Sequence, residues 1–333
     1  MSQQMVNVTA SPFWIVNSFS YVSNMSILYI GWAAVPACFI LLIWFASLEG
    51  IFNLTSPAEW TSIATPINGM ILTMIVSSCF SNLFYSLASV WKGFHASMVA
   101  ITVSSLSNFT FYLAYFHYSF IRGRPVIEII CSGVLPFIPA YFATFALLEL
   151  ITNSAYTIIY MAVSTDPFYN AVLDWGNHTY TAATLILFLF DNFVLVCYLC
   201  YILSVQHEHV RADIARLGII CKFGVASVLV FFVGLLCNII NQYTEYNMRD
   251  PTDCYINLLL TVIDGNVNWP FLFIQLWMKR ALQREKRQAL DRKRREVETA
   301  KGRASPPVSN ERYGVREEEV NADTFLSVVH DGH

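Results

Sequence analysis

Apolar residues are gathered into seven long runs along the chain, with short polar stretches between them. Each run contains 22 to 26 residues, and about 20 apolar residues suffice for a helix that crosses a bilayer. The pattern therefore predicts an all-α membrane protein, a bundle of seven transmembrane helices. The runs extend from Ile27 to Leu48, Ile67 to Val90, Ala96 to Phe120, Val126 to Ile151, Tyr180 to Leu203, Leu217 to Gln242 and Tyr255 to Trp277.

These runs divide the chain into four parts. An extracellular N-terminal segment, residues 1–26, precedes the helix bundle at residues 27–277. A basic juxtamembrane helix lying along the inner leaflet is predicted for residues 278–301, and a flexible cytoplasmic tail for residues 302–333.

The seventh run carries one polar face. Five polar residues follow each other at intervals of four, three, four and seven positions, which places them on one side of a helix: Asn257, Thr261, Asp264, Asn268 and Gln275. A carboxylate at mid-bilayer costs about 2.5 to 3.5 kcal/mol or more if it faces lipid, so this face is predicted to turn toward other helices or a wet cavity. Pro270 removes one helical hydrogen bond, and we assign Asn266 to the repair of the resulting kink.

The fifth and sixth runs have polar faces of the same kind. The fifth has Tyr180, Thr184, Asp191 and Tyr198, and the sixth has Ser227, Gly234, Asn238 and Asn241. No Lys or Arg is predicted at the depth of Asp191 or Asp264. Each acid is therefore protonated, hydrogen-bonded to polar neighbours, or ready to bind a cationic ligand or ion. Glu149 lies near the end of its run, where we expect it to reach water.

Composition and charge support a membrane protein with a defined orientation. Hydrophobic residues make up 56% of the chain and charged residues 13%, against about 25% charged in soluble domains. Thirteen of the 20 Lys and Arg residues lie at or after Lys279. With the N-terminus outside, the inner side holds 18 cations and the outer side two, Lys92 and Arg249, so the positive-inside rule predicts a cytoplasmic C-terminus.

The predicted outer segments offer glycosylation acceptors but no disulfide framework. Asn7, Asn24 and Asn177 each begin an Asn-x-Ser/Thr sequence. No cleavable signal peptide is predicted, because the first 26 residues lack Lys and Arg and contain only a short apolar patch. Seven of the eight cysteines fall within or beside apolar runs, which favours packing over disulfide bonding.

Motifs of soluble and intramembrane enzymes are absent from the sequence. It contains no HExxH, GxSxG or Gly-rich phosphate loop, and His95 and His117 lie at opposite ends of one predicted helix, too far apart to share a metal. A retinal-binding protein needs a lysine within the seventh helix, whereas Lys279 follows it. We therefore predict no enzyme activity, no cofactor, no metal site and no nucleic-acid partner.

Two short stretches resemble elements of the G-protein-coupled receptors. Phe116-His117-Tyr118, followed by Pro125, resembles the Asp-Arg-Tyr element and the proline of the second inner loop, with His117 where the family has Arg. Asn268-Trp269-Pro270-Phe271-Leu272-Phe273 resembles the Asn-Pro-x-x-Tyr motif. With its short N-terminal segment, the chain is similar to nematode serpentine chemoreceptors within the rhodopsin-like branch. The cysteines of the family's outer disulfide are absent.

The resemblance implies a chemosensory receptor in the plasma membrane that transmits binding of a small extracellular ligand to a heterotrimeric G protein. Ligand-binding candidates face the outer half: His95, Ser97, Tyr180, Thr184, Asn241 and Asn257. The switch and polar network would comprise Asp191, Asn238, Asp264, Asn266, Asn268 and Pro270. Coupling candidates are His117, Tyr118, Arg122, Arg124, Arg211, Arg216, Lys279 and Arg280.

A second function class fits the same composition. A seven-helix transporter or channel subunit would use Asp191 or Asp264 inside the membrane to bind its ion or substrate. A third interpretation, in which the acids only hold the bundle together and the cations only set topology, requires no ligand at all.

Overall fold

Seven α-helices make up most of the part of the chain that the computed structural model describes. The structure describes residues 13–51, 63–90, 94–161, 167–205, 211–245, 256, 259–260, 262–263 and 266–303. The helices are α1 (Phe13–Leu48), α2 (Pro66–Val90), α3 (Phe94–Ile130), α4 (Ile138–Met161), α5 (Pro167–Val205), α6 (Arg211–Glu245) and α7 (Asn268–Arg303), with a 3-10 turn at Ser132–Phe137 between α3 and α4. No strand occurs in the described ranges.

Six of these helices are long and apolar enough to cross a membrane. The qualifying stretches are Gly31–Leu48, Pro66–Ala88, His95–Ile130, Ser132–Ala155, Asp174–Ser204 and Ala215–Ile240. Their exposed faces are apolar, as on α5, where Leu189, Val196 and Leu203 point outward while Asp191 and Tyr198 are buried. Apolar residues outside and polar residues inside suit a lipid solvent. The all-α prediction and the membrane prediction are confirmed for these six helices.

The predicted boundary between the third and fourth spans is wrong. We placed the break at residues 121–125, but α3 continues through Pro125 to Ile130, and α4 begins at Ile138 rather than at Val126. Val126 and Ile127, the two residues directly after the proline, pack into the core. Burial of these side chains outweighs the hydrogen bond that Pro125 removes. Arg122 and Arg124 therefore lie on a helix and not in a loop.

Other helices are longer than the apolar runs. The backbone of α1 begins at Phe13 and that of α5 at Pro167, where the fixed φ of proline suits a first helical turn. α7 runs without interruption past Trp277 through the basic segment to Arg303, a length of about 54 Å at 1.5 Å per residue.

The helices pack in a ring. Each consecutive pair from α1 to α7 is in contact, α3 also touches α5, and α7 packs on α1 and α2. Very close approach occurs where α1 meets α2, since a Cβ added to Gly31 would lie 2.0 Å from the Ser86 Cβ. In the middle of the ring, the Tyr115 ring centroid lies 4.9 Å from that of Phe231 and 4.5 Å from that of Phe271. This aromatic triad joins α3, α6 and α7.

Candidate functional site

A buried amide on α7 connects three helices. Gln275 is 1% exposed, and its Oε1 accepts hydrogen bonds from Tyr118 Oη at 2.9 Å and Arg122 Nη1 at 3.3 Å. Its Nε2 donates to Ser227 Oγ at 2.8 Å. Three of the four hydrogen bonds that an amide side chain can form are therefore made to α3 and α6. We call Gln275, Tyr118, Arg122 and Ser227 the amide network.

Arg122 extends the amide network to α5. Its backbone carbonyl accepts a hydrogen bond from Tyr198 Oη at 2.5 Å, and its guanidinium carbon lies 5.5 Å from the centroid of the Tyr118 ring. Arg122 Nη1 also approaches the sulfur of Met278 at 3.7 Å. The arginine predicted to face a cytoplasmic partner is thus turned into the bundle. Its place in the network follows from the continuation of α3 beyond Phe120.

Asp191 lies beside the amide network. Its Oδ1 accepts a hydrogen bond from Ser119 Oγ at 2.5 Å, and both residues are buried. A cavity of about 10 Å³ separates α3, α5 and α6 here, with Arg122 and Asp191 both in its wall. Arg122 thus lies nearer to Asp191 than the sequence led us to expect, although the two form no ion pair in the described structure. The cavity has room for about one water molecule, which excludes an organic ligand at this position.

A second polar cluster ties α7 to the ends of α1 and α2. Lys279 Nζ forms an ion pair with Glu49 and donates a hydrogen bond to Asn68 Oδ1. Asn68 Nδ2 donates to Glu49 Oε2 and to the carbonyl of Ile63, both at 2.7 Å. One turn along α7, Gln283 Nε2 donates to the Leu48 carbonyl at 3.0 Å. We call Lys279, Glu49 and Asn68 the clasp.

Local sequence explains how the clasp is assembled. The Thr65 hydroxyl accepts a hydrogen bond from the backbone N–H of Asn68 at 3.2 Å, and Pro66 follows Thr65. Thr65 therefore caps the start of α2 and holds Asn68 in the first turn of that helix. Lys279 lies two residues past the predicted seventh span. Burial lowers the pKa of its amine from the ordinary 10.5, and the Glu49 carboxylate offsets part of that change. Because Lys279 is engaged within the bundle, it offers little surface to a coupling partner.

The opposite end of the bundle has separate polar contacts. Thr152 Oγ1 donates to Thr179 Oγ1 at 2.9 Å between α4 and α5, and Thr181 Oγ1 donates to Asn238 Oδ1 at 3.3 Å between α5 and α6. Glu149 is 1% exposed and accepts a hydrogen bond from Asn153 Nδ2 at 3.3 Å. The expectation that Glu149 reaches water is therefore wrong, because its side chain turns into the bundle.

The six ligand-binding candidates occupy different environments. His95 is exposed and Ser97 buried at the start of α3, while Tyr180 is half-buried and Thr184 buried on α5. The Thr184 hydroxyl donates to the carbonyl of Tyr180 at 2.9 Å. The side chain of Asn241 and the whole of Asn257 lie outside the described residues.

The switch candidates on α7 lie near the beginning of the described helix. Asn268 is buried and Pro270 exposed, while Asp264 falls outside the described residues. Asn266 Nδ2 donates to the carbonyl of Val262 at 2.7 Å. Pro270 deprives the carbonyl of Asn266, not that of Val262, of its amide donor. The side chain of Asn266 therefore bonds a carbonyl one turn earlier than the one to which we assigned it.

The coupling candidates divide by accessibility. Arg124 is 60% exposed and pairs with Glu128, 36% exposed, at 2.7 Å. His117 and Arg280 are exposed, Arg216 is half-buried and Tyr118 is buried. The side chain of Arg211 lies outside the described residues.

The glycosylation candidates have no exposed described side chain. Asn177 is buried on α5, so glycan attachment there would require this part of the helix to open. Asn7 and the side chain of Asn24 lie outside the described residues.

Comparison with known proteins identifies no relative. No family model matches the chain, no similar curated protein was found, and no solved structure resembles it. The functional argument therefore depends on the residues and contacts of this chain.

Proposed function

We propose that this chain is a seven-helix plasma-membrane receptor of the G-protein-coupled type, with its N-terminus outside. The observation that carries the proposal is the amide network, in which one buried glutamine of α7 holds α3 and α6 together. Such a network has two discrete arrangements, bonded or broken, and a ligand that prefers one helix packing would shift the balance between them.

The position of the amide network supports this orientation. Gln283 of α7 contacts the end of α1, and Tyr198 near the end of α5 contacts Arg122 near the end of α3. The ends of these odd-numbered helices thus lie on the same side as the basic segment of α7. By the positive-inside rule this side would face the cytoplasm, with α7 as the seventh crossing.

The aromatic triad offers a path from the outer half to the amide network. Tyr115 precedes Tyr118 by three residues, and Phe271 precedes Gln275 by four, so each aromatic ring lies about one helical turn from its network partner. On α6, Phe231 follows Ser227 by four residues, so it also lies about one helical turn from its network partner. A ligand that shifts α6 or α7 near the triad would displace the network residues on the same helix.

The energy of the amide network suits a switch. Each hydrogen bond contributes about 0.5 to 1.5 kcal/mol net, so the three bonds of Gln275 contribute about 1.5 to 4.5 kcal/mol to the bonded packing. Couplings of about 1 to 3 kcal/mol are typical of ligand-controlled equilibria. The network is therefore strong enough to favour one packing and weak enough for a small ligand to reverse the preference.

The proposal is tested by basal signalling in cells that carry energy-transfer sensors for each G-protein class. Gln275→Leu removes three buried hydrogen bonds, and we expect it to change basal activation by about fivefold or more. Gln283→Leu, which removes one peripheral bond of the same helix, is the matched control. Equal basal signals from the wild type and both variants at matched surface expression would refute the receptor proposal, as would a C-terminal tag accessible on intact cells.

A transporter is the second candidate, and the cavity beside Asp191 favours it. An acid and a cation in one cavity inside a span are typical of ion and proton pathways. Reconstituted vesicles with internal pH dyes and ion indicators would detect such flux. Flux that Asp191→Asn abolishes, without any G-protein response, would establish transport instead of signalling.

A further inference from the structure

The basic extension of α7 presents many cations that form no ion pair in the described structure. Viewed down the helix axis at 100° per residue, seven cations among residues 280–299 fall within an arc of about 200°. The same arc contains two acids, Asp291 and Glu298. The seven are Arg280, Arg284, Lys286, Arg287, Lys293, Arg294 and Arg295, and we call them the basic arc. On the other side of the helix, Arg292 and Glu285 already pair with each other at 3.6 Å. Within the described ranges no member of the basic arc forms an ion pair.

Geometry argues against lipid headgroups as the main occupant of the basic arc. Because α7 continues unbroken through the clasp, Arg303 lies about 36 Å beyond Lys279 along the helix. Electrostatic attraction to a charged surface in physiological salt decays over about 8 Å. With α7 as the seventh crossing, as proposed above, only the first turns beyond the clasp would come within this distance of the membrane, which leaves Lys293, Arg294 and Arg295 out of its reach.

Charge argues against a second copy of the same helix. Two basic arcs facing each other would bring seven cations against seven. The apolar residues exposed beyond the clasp, Leu290 and Val297, are separated by seven positions, with Lys293 and Arg294 between them. One apolar residue per heptad is too few for a coiled-coil seam.

We propose that the basic arc is covered by the acidic segment Glu317–Asp323 of the same chain, which lies outside the described residues. This segment, with the sequence EEEVNAD, contains four acids and no cation. Residues 304–316 connect it to the helix, and 13 extended residues reach about 43 Å, farther than the exposed helix is long. A tether of this length would give an effective concentration in the millimolar range, above that of most free acidic partners.

Photo-crosslinking of the full-length protein tests this contact. Val320, inside the acidic segment, is replaced with p-benzoylphenylalanine, and the protein is placed in nanodiscs of phosphatidylcholine, which carries no net charge. Mass spectrometry should find crosslinks to residues 280–303. Their yield should fall when salt rises from about 0.1 M to about 1 M, because the screening length falls from about 10 Å to about 3 Å.

Charge variants make the test specific. Glu318→Gln with Glu319→Gln should reduce the crosslink by about 1.4- to 5-fold for each ion pair lost. Glu311→Gln with Asp331→Gln removes the same charge outside the segment and should have a smaller effect. Arg294→Glu with Arg295→Glu should also reduce the crosslink, and adding Glu318→Arg with Glu319→Arg should restore it. Arg294 and Arg295 are exposed, so these changes leave the bundle intact.

Three outcomes would overturn the proposal. One is the absence of crosslinks to residues 280–303 in the neutral nanodiscs. Another is a crosslink that forms only between differently isotope-labelled copies, which would make a second copy the occupant. The third is a yield that neither the Arg294 and Arg295 variants nor salt can change, which would show that charge does not hold the segment.

Discussion

The clasp allows a quantitative test of how α7 is attached to α1 and α2. Lys279 and Glu49 are 18% and 11% exposed, so their ion pair is largely removed from solvent. Glu49→Gln preserves size and the ability to accept the hydrogen bond from Asn68 but leaves the ammonium group of Lys279 without a counter-charge. Lys279→Met makes the complementary change and leaves a carboxylate unpaired.

The expected effect follows from the burial of the pair. Removing one partner of a fully buried ion pair costs about 3 to 5 kcal/mol, because the remaining charge stays desolvated. Exposed pairs contribute about 0.2 to 1 kcal/mol. With little exposure at either end, we expect each single variant to lose about 2 to 4 kcal/mol. The double variant, which has no orphaned charge, should lose less than either single variant, since replacing a whole buried pair is often nearly neutral.

Thermal unfolding in detergent, followed by circular dichroism at one scan rate, measures these differences. For a chain of this size a loss of 1 kcal/mol lowers the midpoint by about 2 °C, so the single variants should melt about 4 to 8 °C lower. Glu128→Gln breaks the exposed Arg124 pair within one helix and is the matched control, with an expected loss below about 1 kcal/mol. The clasp does not act as a buried pair if Glu49→Gln loses no more stability than Glu128→Gln. The same conclusion follows if the stability loss of the double variant equals the sum of the losses of Glu49→Gln and Lys279→Met.

Three further predictions concern packing, pH and the acid beside the amide network. Gly31→Ala should lower stability by about 1 to 3 kcal/mol in thermal melts because its Cβ would overlap α2, whereas Gly69→Ala, with nothing within 4 Å, should raise it by up to about 1 kcal/mol. Folding lowers the pKa of Lys279, so just below pH 10.5 the unfolded chain binds more protons than the folded one. Stability should therefore rise with pH in that window, and Lys279→Met should remove this pH dependence. Asp191→Leu should cost about 1 to 3 kcal/mol in the same melts by leaving the Ser119 hydroxyl unpaired, and Asp191→Asn less.

Periodicity predicted the inward faces better than the helix ends. The spacing on α5 and α6 placed Asp191, Tyr198 and Ser227 on buried faces, and all three are buried. The break between the third and fourth spans was misplaced, because the pattern of apolar residues around Pro125 does not reveal the burial of Ile127 beyond it. That single error moved Arg122 from a helix into a loop and concealed its relation to Asp191.

Contacts between distant segments could not be predicted from spacing. Lys279 and Glu49 are 230 positions apart, and Gln275 and Tyr118 are 157 apart. Periodicity shows which face of a helix is polar but not which neighbour it meets, since that depends on the order of helices in the ring. The usable signal was the free-energy cost of burying a polar group without a partner. A buried glutamine and a lysine near the end of an apolar run each require such a partner.

The two polar clusters together make α7 the element that connects α3 and α6 to α1 and α2. Gln275 and Lys279 are four residues apart, so they lie on nearly the same face of α7, one turn from each other. A rotation of α7 that withdraws Gln275 from α3 and α6 would also move Lys279 away from α1 and α2. Breaking one cluster therefore weakens the other. The helix continues unbroken from Gln275 to Arg303, a length of about 42 Å. A small rotation at the amide network would therefore reorient this whole segment, including the basic arc.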